Sequence, residues 1–567
     1  MTCLLCRVEL CGMQSFMKNK FITKEEVHMG YKGMNPFDYT YTSRRNITYG
    51  KQGMVAASQP QASQAGLEIL KKGGNAVDAA IAMAIALTVV EPTSNGVGGD
   101  AFALIWTKDG LKGLNASGPA GSLADAEKMK SENYTKMPEY GIKTVTVPGA
   151  PSAWVTLSKT YGKLPFKELF KPAISLAEEG YVVSPMVSEM WEYEFNVHNK
   201  QHREQPEYKA WFDTYMPMGR AMRAGEVFKN PDLGKTLREL ADTECESFYR
   251  GAIAGKIIDF CAKYDGFLTK EDLATYYPEW VEPISINYRG YDVWEIPPNG
   301  HGIVALMALN MLKGYDLKEK ENVDTYHKSI EALKLAYTDG KKYVTDIRHM
   351  SVKVEDLLSD EYANKRRDLI NKEALMPEAG NPKKGGTVYL CVADGDGNMV
   401  SYIQSNYWKF GSGLVIPGTS IALHNRGREF SLNKEDDNYL LPGKKPYHTI
   451  IPGFLTKDGK PVGPFGVMGG YMQPQGHVQV VENMIDFHMN PQQALDAPRW
   501  QWIGGKKILV EYNFPIETYQ KLQEMGHEIK YSNSIGSFGR GQIIIRQEDG
   551  ILVGGTEPRT DGAVLGY

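Results

Sequence analysis

Cysteine is scarce in this sequence: six in 567 residues, at positions Cys3, Cys6, Cys11, Cys245, Cys261 and Cys391. That excludes a disulfide framework as the organising principle and fits a reducing compartment. Cys3 and Cys6 form a CxxC with no second pair at matching spacing, so it reads as free thiols in a tail rather than a metal site. Eleven histidines are scattered along the chain, and neither a metal site nor an organic cofactor is expected. The net charge is −4, and no dense Lys/Arg block or basic helix stands out, which argues against nucleic acid and anionic membrane surfaces as partners. Long hydrophobic runs are absent too. The strongest, Ala76 to Val90, is shorter than a membrane span and contains Asp78. Its many alanines suit a buried helix packed closely on a sheet. The first residues lack the basic start and apolar core of a signal peptide, so the expected location is the cytoplasm.

Residues 1–48 show no clear period and read as an irregular extension, in which Met34 is a plausible alternative start. GMVAASQP from Gly53 reads as a short strand and turn. Gln61 to Lys72 has helical spacing, ended by Gly73-Gly74-Asn75. EPTSNGVGGD lacks the Lys-Ser/Thr of a phosphate loop and reads as a packing turn before the strand AFALIW. Residues 150–350 read as mostly helical, with breaks near Tyr277 to Pro283 and Pro297 to Gly302, and 355–375 as one more charged helix. Then the texture changes. MPEAGNPKKGG, 376–386, is a loop by every local signal. TVYLCVA, the DGDGN turn and MVSYIQSNY follow as two strands, and GLVI, FGVMGG and GQIIIR are further candidates.

The Gly386-Thr387 junction, where loop meets strand, has a chemical use. A hydroxyl at the start of a rigid strand can attack the preceding carbonyl, and glycine allows the strained backbone this needs. Hydrolysis of the resulting ester would leave Thr387 as a new N-terminus. Its α-amine, with a reference pKa of about 7.7–8.0, could act as base for its own hydroxyl. Taken alone, a Gly-Gly-Thr reads as an ordinary loop entering a hairpin.

TVYLCVADGDGNMVSYIQSNYWKF, 387–410, resembles the segment that opens the small subunit of γ-glutamyltransferases. The resemblance continues through GSG, ALHNRGREF, KPYHTIIPGF, GVMGGYMQPQGH, NPQQALDAPRW and the C-terminal TEPRTDGAVLGY. GGNAVDAAIAMAIALTVVEPTSNGVGGDAFAL and VPGAPSAW carry it through the first half, so it covers about Gly53 to Tyr567. It implies a layered α/β fold, the four-layer αββα sandwich of N-terminal nucleophile hydrolases. It also implies self-cleavage between Gly386 and Thr387. The large subunit would be 49–386 and helix-rich, the small subunit 387–567 and strand-rich. The two would stay associated in one αββα unit, and a dimer of heterodimers is admitted.

By the same resemblance Thr387 is the nucleophile, and Ser405 stands where the family has a threonine whose hydroxyl supports it. Gly469 and Gly470 match the pair that forms the oxyanion hole. Glu429 stands where an aspartate holds the substrate α-amine. Other positions depart from the pattern. Pro119, in LNASGPAG, lies about where an arginine would grip the glutamyl carboxylate. His448 and Thr449 replace a serine pair, Tyr407 an asparagine, and Arg426 a glutamine. The implied enzyme is a threonine amidohydrolase or acyltransferase of the divergent γ-glutamyltransferase-like branch. It would act on a small amide, with water or an amino acid or peptide as acceptor. The alternative is a cephalosporin-acylase-like or oxamate-like amidohydrolase; a non-enzymatic binding relative is a third reading. Ser431 to Lys444 reads as a polar loop, either a lid or plain surface.

Overall fold

The computed structural model describes residues 45–377, 386–534 and 536–567. The CxxC, Met34 and most of the loop before Gly386 lie outside them. Residues 43–567 belong to one compact unit.

Two seven-stranded sheets dominate. In the first, the strand order is Ala563–Gly566, Gly53–Ala57, Gly386–Asp394, Met399–Tyr407, Asp100–Thr107, Gly110–Ala116, Glu279–Val281, and its pairings are antiparallel. In the second, Thr48–Gly50, Leu552–Thr556, Arg540–Arg546, Lys460–Met468, Gly453–Lys457, Tyr291–Glu295 and Ile284–Tyr288 follow one another. The central strands of the two sheets pack face to face. Helices Pro60–Lys71 and Ala76–Val90 cover the first sheet; Gly302–Leu312 and Gln473–Ile485 cover the second, with Val323–Tyr343 outside them. This is the four-layer αββα sandwich. Both sheets draw strands from both sides of Gly386.

Sequence explains these placements. Every residue of Ala76–Val90 is buried, as its alanine content predicts, and small side chains let the helix approach the sheet closely. Its start is a capping box: the Asn75 side chain accepts from the Val77 and Asp78 amides, and Asp78 accepts from the Asn75 amide at 3.1 Å. Gly466 admits the other sheet, since a Cβ there would lie 2.5 Å from the Tyr389 ring.

One segment differs from the sequence reading. Within the stretch read as mostly helical, Glu279–Val281, Ile284–Tyr288 and Tyr291–Glu295 are strands. Arg289 and Gly290, both at positive φ, turn the last two into a hairpin. The stretch read as one charged helix is two short ones, Val354–Leu357 and Asp360–Arg367. Arg45, inside the stretch read as irregular, donates to the carbonyls of Glu557, Thr560 and Gly562 and is docked on the core.

Two of the C-terminal motifs are structural. Arg499 of NPQQALDAPRW donates to Glu557 of TEPRTDGAVLGY at 2.8 Å, and both side chains are buried. The Glu557 carboxylate also takes the Gly541 amide at 2.8 Å and the Arg559 guanidinium.

Candidate active site

Thr387 is the second residue of the Gly386–Asp394 strand. The register slips here: Gly386 faces Tyr407 while Val388 faces Gln404, so Thr387 lies against both Ser405 and Asn406. The slip sets the Thr387 hydroxyl 3.1 Å from that of Ser405, with both side chains buried. Ser405 Oγ also accepts the Tyr407 amide at 2.8 Å. Gln473 Nε2 stands 3.4 Å from Thr387 Oγ1, while its Oε1 accepts the Ile451 amide at 2.9 Å. Gln473 opens the helix Gln473–Ile485, so the partially positive end of that helix sits beside the hydroxyl. Gly469 and Gly470 come just before it. Gly469 has φ +141°, and a Cβ there would lie 3.1 Å from the Gly539 Cα.

A second group of side chains stands beyond this one. Arg426 is 1 % exposed, lies 4.1 Å over the Tyr407 ring and donates from Nη1 to Thr449 Oγ1 at 2.7 Å. Its Nε and Nη2 have no hydrogen-bond partner among the described residues. Glu429 receives both Tyr407 and Tyr471 hydroxyls, one on each carboxylate oxygen. Lys341 lies over the Tyr471 ring at 4.8 Å. Burial pushes its ammonium down to about 8, against the pull of Glu429.

The third group centres on Asp100. It pairs with Ser405 across the sheet, which puts the two side chains on one face. Its carboxylate accepts the Gly149 amide at 3.2 Å and His448 Nε2 at 3.0 Å. The Ile450 amide points at His448 Nδ1, which leaves the ring proton on Nε2. Burial lifts the Asp100 carboxyl to about 7, with Arg426 opposing the shift. Burial also holds His448 well below the ordinary imidazole value and His424 down to about 3, with Arg426 adding to both, so these rings are neutral.

The structure thus brings together Thr387, Ser405, Tyr407, Arg426, Glu429, His448 and Thr449, all named from sequence. Pro119 does not add a cation; its carbonyl takes the Val147 amide. Asp100, Lys341, Tyr471 and Gln473 were not singled out. The GGD motif did end in Asp100, but only strand register shows that it faces Ser405. The Ser431 to Lys444 loop is tied down: Asn438 donates to the Glu429 carbonyl at 2.6 Å, and Gly443 and Lys444 exchange backbone bonds with Ala120. Away from the site, His327, Glu331 and His527 cluster in the core. Lys334 donates to Glu331 at 2.6 Å there, so a cation already neutralises the carboxylate.

Known proteins resemble this chain in sequence and fold. The family profile described as Gamma-glutamyltranspeptidase matches residues 62–567. The chain belongs to the γ-glutamyltranspeptidase family. It is 35% identical to a glutathione hydrolase-like proenzyme of Bacillus subtilis over 91% of this chain and 99% of that one. It is 33% identical to the oxamate amidohydrolase proenzyme of Klebsiella pneumoniae over 91% and 98%. The solved cephalosporin acylase of Bacillus halodurans superposes with a TM-score of 0.92 at 58% identity, covering 94% of this chain and 99% of that one. The chain is accordingly an enzyme, an amidohydrolase of γ-glutamyltranspeptidase type.

Proposed function

We propose that Thr387 cuts the chain at the Gly386 carbonyl and then serves as the N-terminal nucleophile of the mature amidohydrolase. The contact that carries this reading is the buried Thr387 Oγ1 against Ser405 Oγ at 3.1 Å, at a register slip directly after Gly386. The Ser405 oxygen also takes the Tyr407 amide, which fixes the hydroxyl beside Thr387. Several relatives are named as proenzymes, in keeping with maturation by cleavage.

In the mature enzyme the freed α-amine takes the Thr387 proton as Oγ1 attacks the substrate amide. The Gly469 and Gly470 amides, at the head of Gln473–Ile485, stabilise the tetrahedral oxyanion. The C–N bond breaks, the amine leaves with the proton, and an ester on Thr387 remains. Water hydrolyses that ester, or an amino acid or peptide amine takes the acyl group. Arg426, Glu429, Tyr407, His448 and Thr449 form the wall that selects it.

The large subunit, 49–386, and the small subunit, 387–567, remain together because they share both sheets. Among the described residues no helix is long and apolar enough to cross a membrane. Buried free thiols at Cys245, Cys261 and Cys391 support the cytoplasm as the compartment.

A second reading keeps the chemistry and changes the acyl group to one other than γ-glutamyl. Pro119 in place of an arginine and the buried Arg426 favour it.

Intact mass under denaturing conditions tests the nucleophile. Two fragments are expected, the smaller beginning at Thr387, and a single uncleaved, inactive chain for Thr387→Ala. A Thr387→Ala chain that still divides at this bond would refute the assignment. Native mass of the same sample reads whether the heterodimer pairs into a dimer of heterodimers.

A further inference from the structure

We propose that the acyl group taken by this enzyme ends in a carboxylate gripped by Arg426 and carries no α-ammonium. The substrate is then a monoamide of a dicarboxylic acid rather than a γ-glutamyl amide. The inference rests on Thr387 being the nucleophile and adds the substrate class.

Arg426 supplies the first half of the argument. A buried guanidinium without a paired anion is unfavourable by several kcal/mol. Here one nitrogen, Nη1, is bonded to Thr449, and the ring of Tyr407 covers one face. The two nitrogens without partners, Nε and Nη2, share an edge. That edge presents two parallel N–H donors, the geometry that takes a carboxylate in bidentate fashion. Among the described residues neither Asp100 nor Glu429 reaches ion-pair distance of it. Both act on it only through space.

Glu429 supplies the second half. An α-ammonium needs a carboxylate whose remaining lone pairs it can reach. Both Glu429 oxygens already accept tyrosine hydroxyls, from Tyr407 and Tyr471. Those rings are buried, and the two cations Arg426 and Lys341 lie over them. A third cation would enter a site where Arg426 and Lys341 already lie over the two phenols that hold the Glu429 carboxylate. A ligand carboxylate restores balance; an ammonium works against it.

The reaction balances simply. Water adds across the amide C–N bond by way of the Thr387 ester, releasing an amine and a dicarboxylate. The free dicarboxylates therefore serve as probes of the acyl site.

Calorimetry on the mature enzyme tests this with oxalate and with two matched pairs, succinate against L-aspartate and glutarate against L-glutamate. At least one dicarboxylate should bind, and in a binding pair the compound lacking the amine should bind tenfold or more tightly than its amino acid. Arg426→Gln should weaken that dicarboxylate roughly tenfold to hundredfold, the worth of a charge-assisted fork. Arg426→Lys, which keeps the charge and loses the fork, should recover only part of it. Glutaryl and L-γ-glutamyl 4-nitroanilides should show the same order in kcat/KM when the glutaryl chain fits. Three results overturn the proposal: no dicarboxylate binds, an amino acid matches its desamino partner, or Arg426→Gln binds as wild type. None is confused with failure of the nucleophile, which intact mass reads separately. An enzyme cleaved before Thr387 that prefers γ-glutamyl amides would refute this inference alone.

Discussion

His448 Nε2 lies 3.0 Å from Asp100 Oδ2, joining the start of the Asp100–Thr107 strand to the segment that also holds Thr449. Burial holds the Asp100 carboxyl at about 7, far above its ordinary value of 3.8. The folded state thus binds this proton more tightly than the unfolded chain. The stabilisation is complete below about pH 4 and fades as pH rises to about 7, because ionisation then occurs in a dry site. Asp100→Asn should flatten this slope even if it lowers stability overall. Urea titrations from about pH 4.5 to 7.5 measure it; parallel curves for the two proteins would show that Asp100 does not titrate in that range.

Ser405→Ala removes the hydroxyl that faces Thr387. Self-cleavage and turnover should both slow by roughly 10²-fold or more. Ser405→Thr, which restores the hydroxyl, should keep both. A time course of fragment mass and a single-turnover assay follow the two steps. An alanine variant that matures and turns over at the wild-type rate would remove Ser405 from the chemistry.

Gly469→Ala meets a backbone that side chains rarely adopt, φ +141°, and a Cβ 3.1 Å from Gly539. The strain should lower stability by about 1–3 kcal/mol. Displaced amides should lower kcat by roughly 10²–10³ with little change in KM. Melting and steady-state kinetics on one preparation separate the two effects.

Arg499→Met takes one of two guanidinium partners from the buried Glu557 carboxylate and leaves it to Arg559. Losing this charged hydrogen bond should remove about 1.5–3 kcal/mol. Arg499 is not among the site residues, so kcat of the surviving folded enzyme should stay near wild type. Chemical denaturation against activity per folded molecule checks both points.

What the sequence disclosed followed from locality. Thr387 stands at a loop-strand junction that can be read in a few letters, and the long buried helix declares itself by composition. Tyr407, Arg426 and Glu429 could be named, but their mutual arrangement could not. Only the folded chain shows Tyr407 beneath Arg426 and Glu429 committed to two phenols. Asp100 was hidden because its partners, Ser405 and His448, are far along the chain and meet it through sheet register and a distant loop. Lys341 lies on a helix with no motif around it. The missed hairpin did carry a signal, alternation on either side of Arg289-Gly290, but its strands are short and set among helices.

The Gly53–Ala57 strand lies between Gly386–Asp394 and Ala563–Gly566, so a piece from before the proposed cleavage point is sewn into the sheet formed by pieces from after it. That order is reached while the chain is continuous, when closing the sheet is a unimolecular event. Once the bond is cut, the same closure requires two molecules to meet. The precursor should therefore refold at a rate independent of dilution, while the denatured mature enzyme should recover more slowly the more dilute it is. The working enzyme is then maintained by the barrier to leaving its fold, and its history as one chain is what placed it there.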